Sequence, residues 1–281
     1  MNNIEELEKI ASQVRRDIIR MVNAVSSGHP GGSLGCADLM TALYFNSLDS
    51  SPESWNLEGK NEDMFFLSIG HISPVWYSVL ARRGYFAIDM LSGFRKMGSL
   101  LQGHPVPDAN LAGIRVASGS LGQGLSVAIG ASEAKKLIKD ENLVYVLMGD
   151  GELQEGQNWE GIMYASTHKV DNLIAIIDNN GVQIDGYTDD IISLGNISER
   201  FTSFGWDTIE INGNNMAEVV EGLSKAKSMS NKGKPIAIIM NTIMGYGVDF
   251  MQDGGKWHGI APSDTEMEEA LAQLEETLGD Y

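Results

Sequence analysis

Two short apolar segments, each followed by a turn that carries an oxygen ligand, constrain the fold of this chain most strongly. The first, Leu143–Met148, ends at the triplet GDG around Asp150, and the second, Leu173–Ile177, ends at DNNG, which contains Asn180. A helical segment lies between them, as in a unit of two parallel strands joined by a helix. Parallel strands end at the same edge of a sheet, where open α/β folds bind ligands. We therefore expect Asp150 and Asn180 to face one point, although they lie far apart in the sequence.

This pair of turns predicts a site for a divalent cation and a diphosphate. A carboxylate and an amide suit Mg²⁺, which takes its remaining oxygens from water and phosphate groups. Gly149 and Gly151 let the main chain approach a ligand closely, and a helix starting after Gly151 would offer backbone N–H groups to a diphosphate. Either triplet alone is usually no more than a turn. The two together, at the ends of neighbouring strands, are far more specific.

The histidines predict a second property of the same site. Four of the five adjoin a glycine, which places them on loops: His29, His71, His104 and His258. One such residue would be read as a solvated loop histidine, but four favour a shared site that binds sugar hydroxyls and moves protons near neutral pH. His168 instead ends a predicted helix, where a histidine stabilises the helix dipole, and we expect it to be structural.

The rest of the chain predicts one α/β domain over residues 1–281, with a doubly wound, mainly parallel sheet and helices on both faces. Helical periodicity covers residues 4–25, 37–48, 74–83, 88–97, 124–139, 216–229 and 266–278, and further strands are predicted over 65–69, 207–211 and 235–240. In the helix over 88–97, Phe94 and Met97 are predicted to be buried. The segment 27–33 is too rich in glycine and proline for regular structure, and 242–263 is a long loop of the kind that is usually functional.

Composition narrows the class of partner. A net charge of −18 argues against nucleic acid or an anionic membrane surface, because phosphate backbones are bound by lysine and arginine. Cys36 is the only cysteine and cannot form an internal disulfide. The N-terminus lacks the basic and apolar regions of a signal peptide, and no apolar run is long enough to span a membrane. We expect a cytoplasmic protein.

A family resemblance covers nearly the whole chain. The GDG-to-NN motif resembles the thiamine diphosphate binding motif, and the surrounding GDGELQEG and NGVQIDG are similar to transketolases. Further segments follow in the family's order: SSGHPGGSLG, FFLSIGH, GHP, SGSLGQG and KWHG. The segment SGSLGQG superficially resembles a dinucleotide-binding loop, but it lacks the three-glycine spacing, so a nicotinamide cofactor is not favoured.

The resemblance implies a role for each matching residue. The cofactor would be thiamine diphosphate with Mg²⁺, or another divalent cation such as Ca²⁺ or Mn²⁺, held by Asp150, Asn180 and the Val182 carbonyl. Gly119 would cradle the cofactor and Leu121 would pack on its pyrimidine, while Glu155 and Glu160 would lie near it at a contact between subunits. The four histidines would surround the donor sugar: His29 and His258 are linked with proton transfer, and His104 with binding near the reacting carbonyl.

The implied reaction is transfer of a two-carbon ketol unit from a ketose phosphate to an aldose phosphate. The printed sequence ends before the pyrimidine-binding and C-terminal domains of a full transketolase. The resemblance therefore implies the N-terminal subunit of a split enzyme, inactive alone and completed by a C-terminal subunit, with a dimer of heterodimers expected. In the family, the basic residues that bind the sugar phosphate lie mainly in that missing part.

Other interpretations remain open. A split transferase could act on another sugar phosphate, such as a branched pentulose phosphate, or form dihydroxyacetone. Relatives that make deoxyxylulose phosphate or decarboxylate 2-oxo acids are less favoured by the GHP and LQEGQNWEG segments. A non-catalytic cofactor-binding subunit is the alternative from a different class, and the complete set of histidines argues against it.

Overall fold

A single five-stranded parallel sheet organises the structure, a computed structural model that describes residues 3–252 and 255–281. In spatial order its strands are β1 (Met64–Leu67), β2 (Val144–Gly149), β3 (Leu173–Asn179), β7 (Ile236–Asn241) and β6 (Asp207–Asn212). A two-residue hairpin follows β3, formed by β4 (Val182–Gln183) and β5 (Gly186–Tyr187). Residues 253 and 254 of the predicted 242–263 loop lie outside the described residues.

Helices cover both faces of this sheet. Side chains alternate between the faces along each strand, so Tyr145 and Leu147 join one apolar core while Val146 and Met148 join the other. The first core contains residues of α1 (Ile4–Ala24), α2 (Pro30–Gly35), α3 (Ala37–Ala42), α4 (Ser73–Arg83), α9 (Met216–Met229) and α10 (Asp264–Gln273). The second contains residues of α5 (Gly124–Leu137), α6 (Gly156–Thr167) and α8 (Ile197–Ser203), and the short α7 (Thr188–Ile192) follows the hairpin. The predicted doubly wound, mainly parallel architecture is confirmed.

The register of the sheet sets the position of the two turns. Gly149, the last residue of β2, pairs with Asp178 of β3. Directly beyond, the Asp150 N–H donates to the Asp178 carbonyl at 3.1 Å. The GDG turn and the DNNG turn are therefore neighbours at the carboxyl edge of the sheet, as predicted.

Buried ion pairs connect the helices of the first face. The Arg15 guanidinium lies 2.5 Å from the Asp38 carboxylate, and the Arg82 guanidinium lies 2.7 Å from that of Asp17. All four side chains are almost completely buried. A buried charge requires such a partner, because an isolated one is costly to remove from water.

Three local predictions were wrong. Residues 88–97 form a 3₁₀ helix only over Ile88–Gly93, and Met97, predicted to be buried, is fully exposed, whereas Phe94 is buried as expected. The segment 27–33, expected to be irregular, contains the start of α2 at Pro30, a position where proline favours a helix. The last helix ends at Gln273 instead of continuing to residue 278. No helix in the described ranges is both long and apolar enough to cross a membrane.

Candidate active site

Asp150 links the two turns at the edge of the sheet. One carboxylate oxygen, Oδ1, accepts a hydrogen bond from the Gly151 N–H at 2.7 Å, and Oδ2 accepts one from the Gly181 N–H at 2.6 Å. The side chain is buried. It therefore holds the turn after β2 against the turn after β3.

Asn180 is oriented by a residue that the sequence analysis did not single out. Its amide nitrogen donates to Asp178 Oδ2 at 2.9 Å, and its Oδ1 accepts from the Val182 N–H at 2.9 Å. Asp178 is completely buried and also accepts from the Thr242 hydroxyl. In the sequence, the indication of this role was that Asp178 is an acidic residue at the end of a buried strand, just before Asn180.

The electrostatics of the turns favour a cation. Burial, and then repulsion by Asp178, raises the pKa of Asp150 to about 7. Two buried carboxyl groups side by side are stabilised when a positive charge binds between or beside them. Among residues 3–252 and 255–281 no cluster of three or more His, Cys, Asp or Glu side chains could hold a metal. The ligands offered here are one carboxylate, one amide and a main-chain carbonyl, a set that Mg²⁺ completes with phosphate oxygens and water.

The four predicted histidines converge. The His29 ring centroid lies 5.1 Å from that of His71, 6.4 Å from that of His104 and 5.8 Å from that of His258. His71 and His258 are 5.2 Å apart. Residues from four separate segments thus form one cluster, as the repeated Gly-His pattern indicated, although His71 and His258 lie in short 3₁₀ helices and not in loops.

These imidazoles are uncharged near neutral pH. Burial, followed by the neighbouring His258, lowers the pKa of His29 to about 4 and that of His71 to about 3. Burial also lowers the pKa of His104 and His258. Nδ1 of His29 and Nδ1 of His258 are buried without a hydrogen-bond partner among the described residues. A neutral cluster with unused ring nitrogens can accept and donate protons at a polar ligand.

One cavity of about 450 Å³ joins the histidine cluster to the two turns. This volume is typical of a small-molecule or cofactor site. It is lined by all but one of the predicted site residues: His29, His71, His104, Gly119, Leu121, Gly149, Asp150, Gly151, Glu155, Asn180, Val182 and His258. Glu160 is the exception, since it lies on an exposed position of α6 outside the cavity. His168 caps the end of α6, stacks on Tyr164 with ring centroids 4.1 Å apart, and does not line the cavity.

The Gly119 turn lines the same cavity as the two strand ends. Gly119 has φ +152°, in a region that other residues rarely adopt, and a Cβ there would lie 3.4 Å from the His104 ring. Leu121, two residues on, is partly exposed where it lines the cavity. An apolar side chain at this position suits a flat ring.

Glu152 was also missed by the sequence analysis. Its carboxylate is buried and accepts hydrogen bonds from the Ser68 hydroxyl, from the Gly122 N–H at 2.8 Å and from the Gly149 N–H at 3.1 Å. It therefore joins the end of β1, the Gly119 turn and the GDG turn. In the sequence, only the position of Glu152 directly after GDG indicated this role, and acidic residues at such positions are usually exposed to solvent.

The helix predicted after Gly151 is present in two parts. Residues Gly151–Gln154 form one 3₁₀ turn, and α6 begins at Gly156. The Gly151 N–H is already bonded to Asp150. The diphosphate contact predicted for Gly151 and the helix that follows it stays a prediction, and the carboxylate, amide and histidine residues fit a cofactor with a diphosphate and a metal.

Comparison with known proteins identifies the family. The model of the family described as transketolase, thiamine diphosphate binding domain, matches residues 7–279. The chain is 36% identical over 275 residues to one subunit of the apulose-4-phosphate transketolase of Phocaeicola vulgatus, covering 98% of this chain and 96% of that protein. It is 36% identical over 270 residues to the SqwG subunit of the 6-deoxy-6-sulfo-D-fructose transketolase of a Clostridium species, covering 96% of each.

A solved structure agrees. Transketolase from Campylobacter jejuni superposes with a TM-score of 0.88 at 33% identity, covering 97% of this chain and 43% of that one. This chain therefore spans less than half of that transketolase, while it matches the two subunits almost from end to end. The chain belongs to the transketolase thiamine diphosphate binding domain family.

Proposed function

We propose that this chain is the cofactor-binding subunit of a split transketolase, which transfers a two-carbon ketol unit between sugars that carry a terminal anionic group. The observation that carries the proposal is the single cavity that joins the Asp150 and Asn180 turns to four neutral histidines. The first part suits a metal and a diphosphate, and the second suits a polyhydroxylated substrate.

The cofactor implied by the family is thiamine diphosphate, which supplies an electron sink for breaking and forming the bond next to a carbonyl. We propose that Asp150, Asn180 and the Val182 carbonyl hold its divalent cation, Mg²⁺ in the first instance. Gly119 and Leu121 would contact the organic part, with Glu155 beside it. Glu160, exposed on α6, stays a prediction as a residue of a contact between subunits.

The histidines would handle the substrate. His29 and His258 have a buried Nδ1 without a partner among the described residues, and we propose that these two side chains exchange protons with the sugar hydroxyl that reacts. His104, on the side of the cluster near Gly119, would bind the donor close to its carbonyl, with His71 beside it. Because their pKa values are low, these side chains start as proton acceptors at neutral pH.

Three kinds of sugar are candidate substrates. The two relatives matched from end to end are named for apulose 4-phosphate and for 6-deoxy-6-sulfo-D-fructose, so a branched pentulose phosphate and a sugar sulfonate are both candidates. A conventional ketose phosphate is a third. All three carry a terminal oxyanion.

A second subunit with a pyrimidine-binding domain is part of the proposal, because relatives that match this chain throughout are named as subunits. We further propose that the chain forms one domain over residues 1–281 and assembles as a dimer of heterodimers. The expected cytoplasmic location stays a prediction.

The test is reconstitution. The chain is co-purified with the product of the adjacent reading frame and assayed for ketol transfer with thiamine diphosphate and Mg²⁺ on the three kinds of donor. Transfer by the complex, and none by the chain alone, is the expected result. Full activity of the chain alone would contradict the split enzyme. A complex that binds the cofactor but transfers nothing would favour the non-catalytic interpretation.

A further inference from the structure

Arg95 lies beside the histidine cluster in a second depression of the surface. This open depression, of about 520 Å³, is lined by Ser27, Arg95, Gln102, Gly103 and His104, together with Val25 and Val106. His104 also lines the main cavity. The two spaces therefore meet at one side chain.

The guanidinium of Arg95 is held in a fixed position. Its Nη1 donates to the Ser27 hydroxyl at 2.8 Å, and its main-chain N–H donates to the Leu101 carbonyl at 2.8 Å. A Cβ on Gly103 would lie only 2.7 Å from the guanidinium carbon, so the absence of a side chain there makes room for the charged group. The Phe94 ring lies against the guanidinium, with its centroid 5.5 Å from that carbon.

No acidic partner neutralises this charge among the residues that the structure describes. The buried arginines on the helices, such as Arg15 and Arg82, each form an ion pair with an aspartate, and Arg115 pairs with Glu62 at 2.5 Å. Among the described residues Arg95 forms no ion pair, in spite of a net charge of −18. Its Nε is buried without a hydrogen-bond partner in that part of the chain. A partly buried cation with an unused donor requires an anion or water to satisfy it.

This charge acts on the candidate active site. Burial, and then the charge of Arg95, lowers the pKa of His104, and Arg95 also contributes to the lowered pKa of His29. No lysine or arginine of the described residues lines the main cavity itself. Arg95 is therefore the cation that this chain places next to the substrate histidines.

We propose that Arg95, with Ser27 and Gln102 beside it, binds the terminal oxyanion of the sugar substrate, a phosphate or a sulfonate. This inference rests on the proposed function. Nη1 is bonded to Ser27 and Nε is buried, so Nη2 is the guanidinium nitrogen left to donate a charge-assisted hydrogen bond to an anion in the depression. A sugar bound this way would extend past His104 towards the histidine cluster. The chain would then contribute anion recognition of its own, in addition to that of its partner.

The first experiment measures substrate recognition in the reconstituted complex. Arg95→Gln removes the charge, Arg95→Lys keeps the charge but not the planar guanidinium, and Lys96→Gln removes a neighbouring exposed charge as the matched control. We expect Arg95→Gln to raise KM for a sugar phosphate by about tenfold to a hundredfold, with less than a twofold change for the same sugar without its phosphate. Arg95→Lys should fall between, and Lys96→Gln should match the wild type. An equal change for both sugars, or no change, would overturn the inference.

The second experiment does not depend on activity. Inorganic phosphate or sulfate is titrated into the chain without thiamine diphosphate, and the His104 ring protons are followed by NMR. Both anions should shift this resonance in the wild type and in Lys96→Gln but not in Arg95→Gln, and an unchanged shift in Arg95→Gln would refute the site. The ratio of the two affinities then separates a phosphate from a sulfonate preference.

The two proposals can fail separately. If the complex transfers ketol units but Arg95→Gln has no phosphate-selective effect, only the proposed anion site is contradicted. If the complex transfers no ketol units, the proposed function is contradicted. The NMR titration alone then tests whether Arg95 binds an anion. If Arg95→Gln fails to fold, Arg95→Lys and Ser27→Ala carry the same comparison, since each changes the position of the positive group or its support without removing the charge.

Discussion

Glu152 should be sensitive to substitution, because its buried carboxylate connects three separate segments at the cavity. Replacing it by alanine removes the acceptor of the Gly122 and Gly149 N–H groups and of the Ser68 hydroxyl. The hydroxyl can rotate towards another acceptor, but the two main-chain donors cannot.

The expected loss of stability follows from those donors. A buried donor left without a partner costs about 1–3 kcal/mol, so two of them cost about 2–6 kcal/mol. Part of this is offset, because burial raises the pKa of Glu152 and removal of the side chain relieves the burial of its charge. We expect the free energy of unfolding to fall by about 3 kcal/mol in Glu152→Ala. Glu152→Gln keeps one acceptor and turns an N–H₂ group towards a donor, so it should lose about 1–2 kcal/mol.

Urea unfolding of the isolated chain measures both variants. Glu160→Ala is the matched control, because that side chain is exposed on α6, and exposed substitutions usually change stability by less than about 0.5 kcal/mol. Thiamine diphosphate affinity should also fall in Glu152→Ala, since the residue holds the GDG turn against the Gly119 turn. A loss no larger than that of Glu160→Ala would refute the argument that these hydrogen bonds hold the site together.

Three further predictions concern the cavity. Asp150→Ala should abolish Mg²⁺-dependent binding of thiamine diphosphate, measured by calorimetry, and an unchanged affinity would show that the metal binds elsewhere. The pKa of His71 is about 3 in the folded chain and roughly 6.5 in the unfolded chain, so the folded state binds fewer protons. The stability that this residue contributes is therefore fully present above pH 6.5 and is lost as the pH falls towards 3. Because the side chain partly faces the cavity, we expect about 2 kcal/mol of destabilisation between pH 7 and pH 4.5 from this residue, and a shallower decline in His71→Gln; parallel curves would contradict the assignment. His258→Ala should slow ketol transfer by about a hundredfold or more with cofactor affinity nearly unchanged, and a variant that lost only stability would argue against its role in proton exchange.

The sequence predicted those parts of the fold that depend on local apolar patterns. The helix over Met216–Met229 was predicted with its observed bounds, and β6 and β7 were within one residue. The convergence of Asp150 and Asn180 followed from the geometry of parallel strands. The histidine cluster followed from the repeated Gly-His pattern.

Contacts between distant segments could not be predicted in the same way. Phe94, with φ −48° and ψ 128°, leaves the helical conformation and ends the predicted helix at Gly93. Arg95, the next residue, bonds through its side chain to Ser27 in a different part of the chain. The strands β4 and β5 are two residues each, too short for a period to be visible. Glu152 and Asp178 are buried acids, and periodicity assigns acids to the surface. Arg95, Glu152 and Asp178 each have a hydrogen-bond partner that lies far away in the sequence.

The hydrogen bonds of Asp150 and Asn180 have a consequence for ion selectivity. Because main-chain donors at Gly151, Gly181 and Val182 hold the Asp150 and Asn180 side chains, the distance between the oxygens proposed to bind the cation is set by the backbone. A small cation that requires octahedral coordination, such as Mg²⁺, and a larger cation with more adaptable coordination, such as Ca²⁺, would be offered the same fixed spacing between these two oxygens. Preorganisation of this kind lowers the entropic cost of binding for an ion of the matching radius and leaves the pair unable to adjust to other sizes.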